Sequence, residues 1–99
     1  LPPLAGSEWV TGDPRIPIAI VLAGLQGPIQ VKGTSYDAVM QPWGMMPDSD
    51  VAAVVTYIRS TWGNSAPPVT EADVAAIRSA IGARGAWTAD ELKAAYPGQ

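Results

Sequence analysis

Apolar and polar positions recur along this chain with two different periods. In DSDVAAVVTYIRSTW, Val51, Val54, Val55, Ile58 and Trp62 follow one another at three- and four-residue spacing. That spacing predicts an amphipathic helix from Asp48 to Trp62 with Arg59 on its opposite face. Asp48 or Ser49 suits its N-cap, Asp50 its positive end, and Gly63-Asn64 its stop. Two shorter helices are predicted after the NSAPP linker. Thr70 and Asp73 open TEADVAAIRSAIG at near capping-box spacing with a Val74/Ile77/Ile81 stripe, and Thr88 and Glu91 repeat the arrangement in WTADELKAAY.

The first half of the chain is less regular. PIAIVLAGL, residues 17–25, fits a short helix with proline in its first turn and Gly24 at its end, and its β-branched residues also suit a strand. In QGPIQVKGTSYD, Ile29 and Val31 alternate with polar neighbours before a Lys32-Gly33 turn, which predicts a small irregular hairpin. Pro42, Gly44 and Pro47 make MQPWGMMP a loop. The opening LPPLAGSEWVTGDPR reads as an ordered loop with Leu4 and Trp9 turned inward.

Composition narrows the chemistry. The chain has 99 residues, 47% apolar and 15% charged, which fits one globular domain. A net charge of -3 without a basic stripe argues against nucleic acid and against docking on an anionic membrane. The longest apolar run, Ile16 to Leu25, is too short to span a bilayer, and the N-terminus lacks the pattern of a signal peptide. There is no cysteine and no histidine, so these residues hold neither a thiolate nucleophile nor an imidazole base. With no nucleophile–base pair in view, no enzyme activity is expected.

The acidic pairs Asp48/Asp50, Glu71/Asp73 and Asp90/Glu91 all fall in predicted first helical turns, where anions meet free N–H groups. A structural role accounts for them. Met40, Met45 and Met46 beside Trp43 first suggest gap-filling by a flexible side chain. The alternative is a thioether acting as a soft axial ligand on a constrained loop, a form that Met40-Gln41-Pro42-Trp43-Gly44 has.

Three segments in order, LPPLAGSEWVTGDP, IVLAGLQGPIQVKGTSYDAVMQPWG and DSDVAAVVTYIRSTWGN, resemble the C-terminal two-thirds of a bacterial class I cytochrome c domain. The resemblance covers Leu1 to about Asn64, and the tail is similar to extensions seen in that family. It implies an all-α cytochrome c-like domain lacking its first helix, with the small hairpin and two short C-terminal helices added. Residues 1–64 would be the cytochrome-like core and 65–99 a helical extension of the same domain. By position Met40 matches the distal haem ligand and Trp43 its loop neighbour, while Leu4 and Leu25 fall in segments that line the haem crevice.

The family's Cys-x-x-Cys-His motif lies upstream of the PPL loop, so haem c would be attached by a segment outside these residues. Ala23 stands where relatives commonly carry histidine, Gln41 where they carry proline after the ligand, and Pro47 where they carry a capping serine. Two readings follow. One is an electron-transfer domain with Met40 as distal ligand, partnered by a redox protein, a dehydrogenase or oxidase subunit, or a complementing cytochrome segment. The other is a haem-free, degenerate domain used for structure or docking. Either implies a periplasmic or other extracytoplasmic setting. A missing first helix would bare the Val51/Val54/Ile58 face, inviting self-association or a partner chain, unless the helix at 70–83 folds back over it.

Overall fold

The computed structural model describes residues 7–98. In order they form helices α1 (Glu8–Thr11) and α2 (Arg15–Ala23), strands β1 (Leu25–Val31) and β2 (Thr34–Met40), then helices α3 (Asp48–Ser60), α4 (Glu71–Ile81) and α5 (Ala89–Ala95). The expectation of an all-α domain is therefore corrected: this is a mixed α/β domain, five helices with an antiparallel two-stranded sheet. The hairpin is regular rather than irregular. Its ladder runs from Leu25↔Met40 through Ile29↔Tyr36 to Val31↔Thr34.

The physical reason lies in the alternation within β1 and in the turn. Ile29 and Val31 point to one face and are buried, while Gln26 and Gln30 point away. Lys32 and Gly33 both take positive φ (52° and 80°), the two-residue connection whose twist matches paired strands. Pro28 is tolerated because a two-stranded sheet has only edges.

Helix α2 is apolar all round, and Ile16 through Ala23 are all buried, as expected of a helix at the centre of a domain. It starts two residues earlier than the proline suggested and stops at Gly24 (φ 88°). Around it pack α3, α4 and, through α1, Trp9, whose indole N–H donates to the Gln30 carbonyl at 2.7 Å. Trp9 is buried, as expected, though on a short helix capped by Ser7 rather than in a loop. Leu4 lies outside the described residues.

Helix α3 departs from expectation in three places. Its N-cap is Pro47 without a side-chain cap, because the Asp48 carboxylate accepts instead from Arg78 Nε at 2.8 Å. It ends at Ser60, with Trp62 and Gly63 both in the left-handed region (φ 53° and 83°) and Trp62 half-exposed, edge-on to Tyr57. Arg59 is 3% exposed rather than solvated. Its guanidinium donates to the carbonyls of Pro67, Val10 and Gly12 at 2.8–3.0 Å, joining α1, α3 and the linker.

The two terminal helices match the sequence closely. Thr70/Asp73 and Thr88/Glu91 both form complete capping boxes. Val74 and Ile77 are buried as α4 packs on α2 and α3. The fold-back thus covers Val51 and Val55, both fully buried, whereas Val54 is 42% exposed.

Candidate functional site

A cavity of about 360 Å³ lies between α2, the hairpin, α1 and α3. Its walls combine Ile20 and Val21 of α2, Ile29 and Ala38 of the sheet, Val10 of α1, and Val54 and Ile58 of α3. No charged side chain lines it among the described residues. Exposed Val39, at the edge of the sheet, and half-exposed Val54 mark its open side.

Two of the residues singled out in the sequence meet here. Leu25 begins β1 and Met40 ends β2; they are cross-strand partners and both line the cavity. Met40 is partly buried against the core and presents the only thioether among the lining residues. Trp43 is elsewhere. It is 49% exposed and does not line the cavity, and its contribution runs through the backbone, its N–H donating to the Val21 carbonyl at 2.8 Å. Of the other methionines, Met46 packs against the core and Met45 is 94% exposed, so only one of them fills a gap.

Residues 41–47 are seated directly on the end of α2. A Cβ on Gly24 would stand 2.6 Å from the Met40 carbonyl oxygen, and one on Gly44 would stand 2.9 Å from that of Leu22. Both contacts require glycine, and Gly24 also holds a φ that side chains rarely adopt. This close approach fixes where β2 ends, and so where Met40 enters the cavity wall.

The C-terminal segment braces the same two places. The Trp87 backbone accepts from the Gln26 N–H and donates to the Gly24 carbonyl, at 2.8 and 2.9 Å, and its indole donates to Ala19. Arg84 stacks its guanidinium 3.4 Å above the Trp87 ring. Arg78 donates to the carbonyls of Gly44 and Met46 and to the Asp48 carboxylate. Sequence reading misses the Arg78 and Trp87 braces, because these side chains lie 30 to 68 positions from their hydrogen-bond partners. The remaining cavity wall is visible in part, as the uninterrupted apolar run of α2 and the Ile29/Val31 alternation.

Ionisable groups with displaced titration lie away from the cavity. A hydrogen bond from Arg15 holds the Asp13 carboxyl below its usual range, burial lowers the Arg59 guanidinium, and burial raises the Tyr96 phenol. Among the described residues no cluster of histidine, cysteine, aspartate or glutamate could hold a metal ion. What the cavity offers is an apolar wall and one soft donor. That donor set fits one side of a haem. A second axial ligand and thioether attachment would have to come from residues outside these 99, which contain neither histidine nor cysteine. No helix of the described residues is long and apolar enough to cross a membrane.

Comparison with known proteins supplies the context. The chain is 40% identical over 68 residues to cytochrome c-552 of Thermus thermophilus, a match covering 65% of this chain and 52% of that protein. A second cytochrome c-552 of the same organism is also 40% identical over 68 residues, 46% of its length. The gluconate 2-dehydrogenase cytochrome c subunit of Pantoea cypripedii is 40% identical over 82 residues, 76% of this chain and 18% of that subunit. The chain spans about half the length of the cytochromes c-552 and under a fifth of the dehydrogenase subunit. No protein-family model matches it. All three matches are cytochromes or a cytochrome subunit, so the chain is similar to cytochrome c domains over most of its length.

Proposed function

We propose that this chain forms the distal side of a haem crevice in an extracytoplasmic electron-transfer protein, with Met40 as the axial ligand. The observation that carries the reading is the seam where Leu25 and Met40 pair across the hairpin and together line an uncharged cavity. The residues that would hold the group are Met40, through its sulfur, and Leu25, Ile20, Val21 and Val54, through apolar contact. When bound, haem supplies a one-electron couple whose potential a thioether ligand raises. The chain's own residues exclude water from that side and fix the sulfur at the end of β2. Covalent attachment and the proximal ligand would come from a segment outside these residues. Trp43 would act through its backbone contact to α2 and shield the loop, without contacting the macrocycle. The electron partner that fits best is a dehydrogenase, since one relative is the cytochrome subunit of such an enzyme.

One observation favours a second reading, a haem-free domain used for docking. Ala23, which stands in place of the expected histidine, is buried and packed in the core, and the 99 residues contain no histidine or cysteine for the proximal side. An absorption spectrum of the purified assembly, with every natural partner present, separates the two. A Soret band that changes on Met40→Ala, with a lower reduction potential, supports the ligand role. A colourless complete assembly refutes it and leaves the docking reading.

A further inference from the structure

We infer that Arg78, on α4, is a positioning residue for Met40: it clamps the loop after β2 against α2 and so fixes where the thioether sits. This rests on the reading of Met40 as the distal ligand, and it concerns a part of the chain beyond the cytochrome-like segments.

The loop is held from both sides. From within, the Trp43 N–H reaches the Val21 carbonyl at 2.8 Å, and the two glycine contacts bring residues 40–44 onto the end of α2. From without, one guanidinium serves three acceptors. Its Nη1 donates to the Gly44 carbonyl at 2.5 Å, its Nη2 to that of Met46 at 2.7 Å, and its Nε to Asp48 Oδ1 at 2.8 Å. The planar fork of arginine can satisfy acceptors in this spread, and a lysine cannot. The clamp spans the loop from its middle to the first residue of α3, so a displacement of residues 41–47 must break charge-assisted hydrogen bonds. Arg78 stands on a helix held in the core by Val74 and Ile77, which gives the clamp a rigid base. Arg78 does not line the cavity, so its effect on any ligand there must pass through the loop.

The test compares wild type with Arg78→Gln and Arg78→Lys, using two readouts. The first is amide hydrogen exchange at Trp43 and Met46 in the chain without haem. Both substitutions should speed it by about tenfold or more, with exchange in the β1–β2 ladder unchanged. Arg78→Lys retains the charge and a partner for Asp48, so it guards against mere failure to fold. The second readout is the methionine-to-iron absorption and the reduction potential of the haem-loaded assembly, both of which should fall in the two variants. Unchanged exchange at Trp43 and Met46 overturns the clamp. Faster exchange with methionine ligation intact overturns its role in positioning Met40. If Met40→Ala itself leaves the haem spectrum unaltered, the ligand reading falls, and exchange alone then decides the clamp: faster upholds it, unchanged overturns it.

Discussion

Helix α3 carries two adjoining apolar faces in very different surroundings. Val51 and Val55 are sealed against α2 and α4 and have no exposure to water. Val54 and Ile58, one helical step round, border the cavity, and Val54 remains 42% exposed. The sealed face is also the one where polar groups have been matched with care. Arg59 satisfies three carbonyls, and no buried side-chain nitrogen or oxygen among the described residues lacks a partner. The open face offers mostly hydrocarbon, with one sulfur and the Ser7 hydroxyl among the lining residues. The difference separates a finished interior from a surface whose chemistry suits an apolar ligand. Helix α4 completes the first and leaves the second open.

The largest expected effect tests the finished side. Arg59→Met removes the donors from three carbonyls, that of Val10 buried and those of Gly12 and Pro67 partly so, and should lower stability by about 3 kcal/mol in urea unfolding. Gly24→Ala, at the border between the two sides, forces a Cβ onto the Met40 carbonyl at a strained φ and should lower stability by about 2–3 kcal/mol. Circular dichroism melts of this variant would also report whether the loop has been lifted off α2. Val55→Ala should lose about 2 kcal/mol of stability, and Val54→Ala under about 0.5 kcal/mol, in the chain alone. Equal losses in the two would mean that the faces are not distinct. In the haem-loaded assembly the Val54→Ala loss should grow toward the Val55→Ala value.

The smallest effect is acid sensitivity at the far end. The Thr88 backbone N–H, aided by Arg84, holds the Glu91 carboxyl below its ordinary range. A carboxylate lowered on folding stabilises fully above its unfolded value, about 4.3, and loses that contribution as pH falls through its folded value. Amide protection in α5, relative to the intrinsic exchange rate at each pH, should therefore fall below about pH 4 before protection in α4, and Glu91→Gln should remove the difference.

How much of this is legible in the sequence depends on the range of the interactions. Capping boxes at Thr70 and Thr88 and the turn at Lys32-Gly33 are local, and their residues announce them. The hairpin is visible but its extent is not. An alternating Ile29/Val31 pair gives little sign that the ladder extends back to Leu25 and Met40, since those ends are fixed by Gly24 and Trp87. Helical spacing puts Arg59 on the solvated face because it cannot reveal carbonyls offered by Val10, Gly12 and Pro67. Within the candidate site, Met40 and Leu25 both line the cavity, whereas Trp43 stands outside it and Leu4 falls beyond the described residues. The family resemblance runs to about Asn64. It carries no information about Arg78, which lies beyond the matching core.

Trp87 has a consequence for the order in which the chain becomes a protein. Its three anchors, Ala19, Gly24 and Gln26, leave the ribosome long before it does, Ala19 by 68 residues. Until then the start of β1 lacks its bonds to residue 87, and α2 lacks the indole that bonds Ala19. The domain therefore closes only once residue 87 has emerged, 61 to 68 positions after the segments of cavity wall it locks. A ribosome stalled before residue 87 would hold a chain with its helices begun and the Leu25–Met40 seam unsecured.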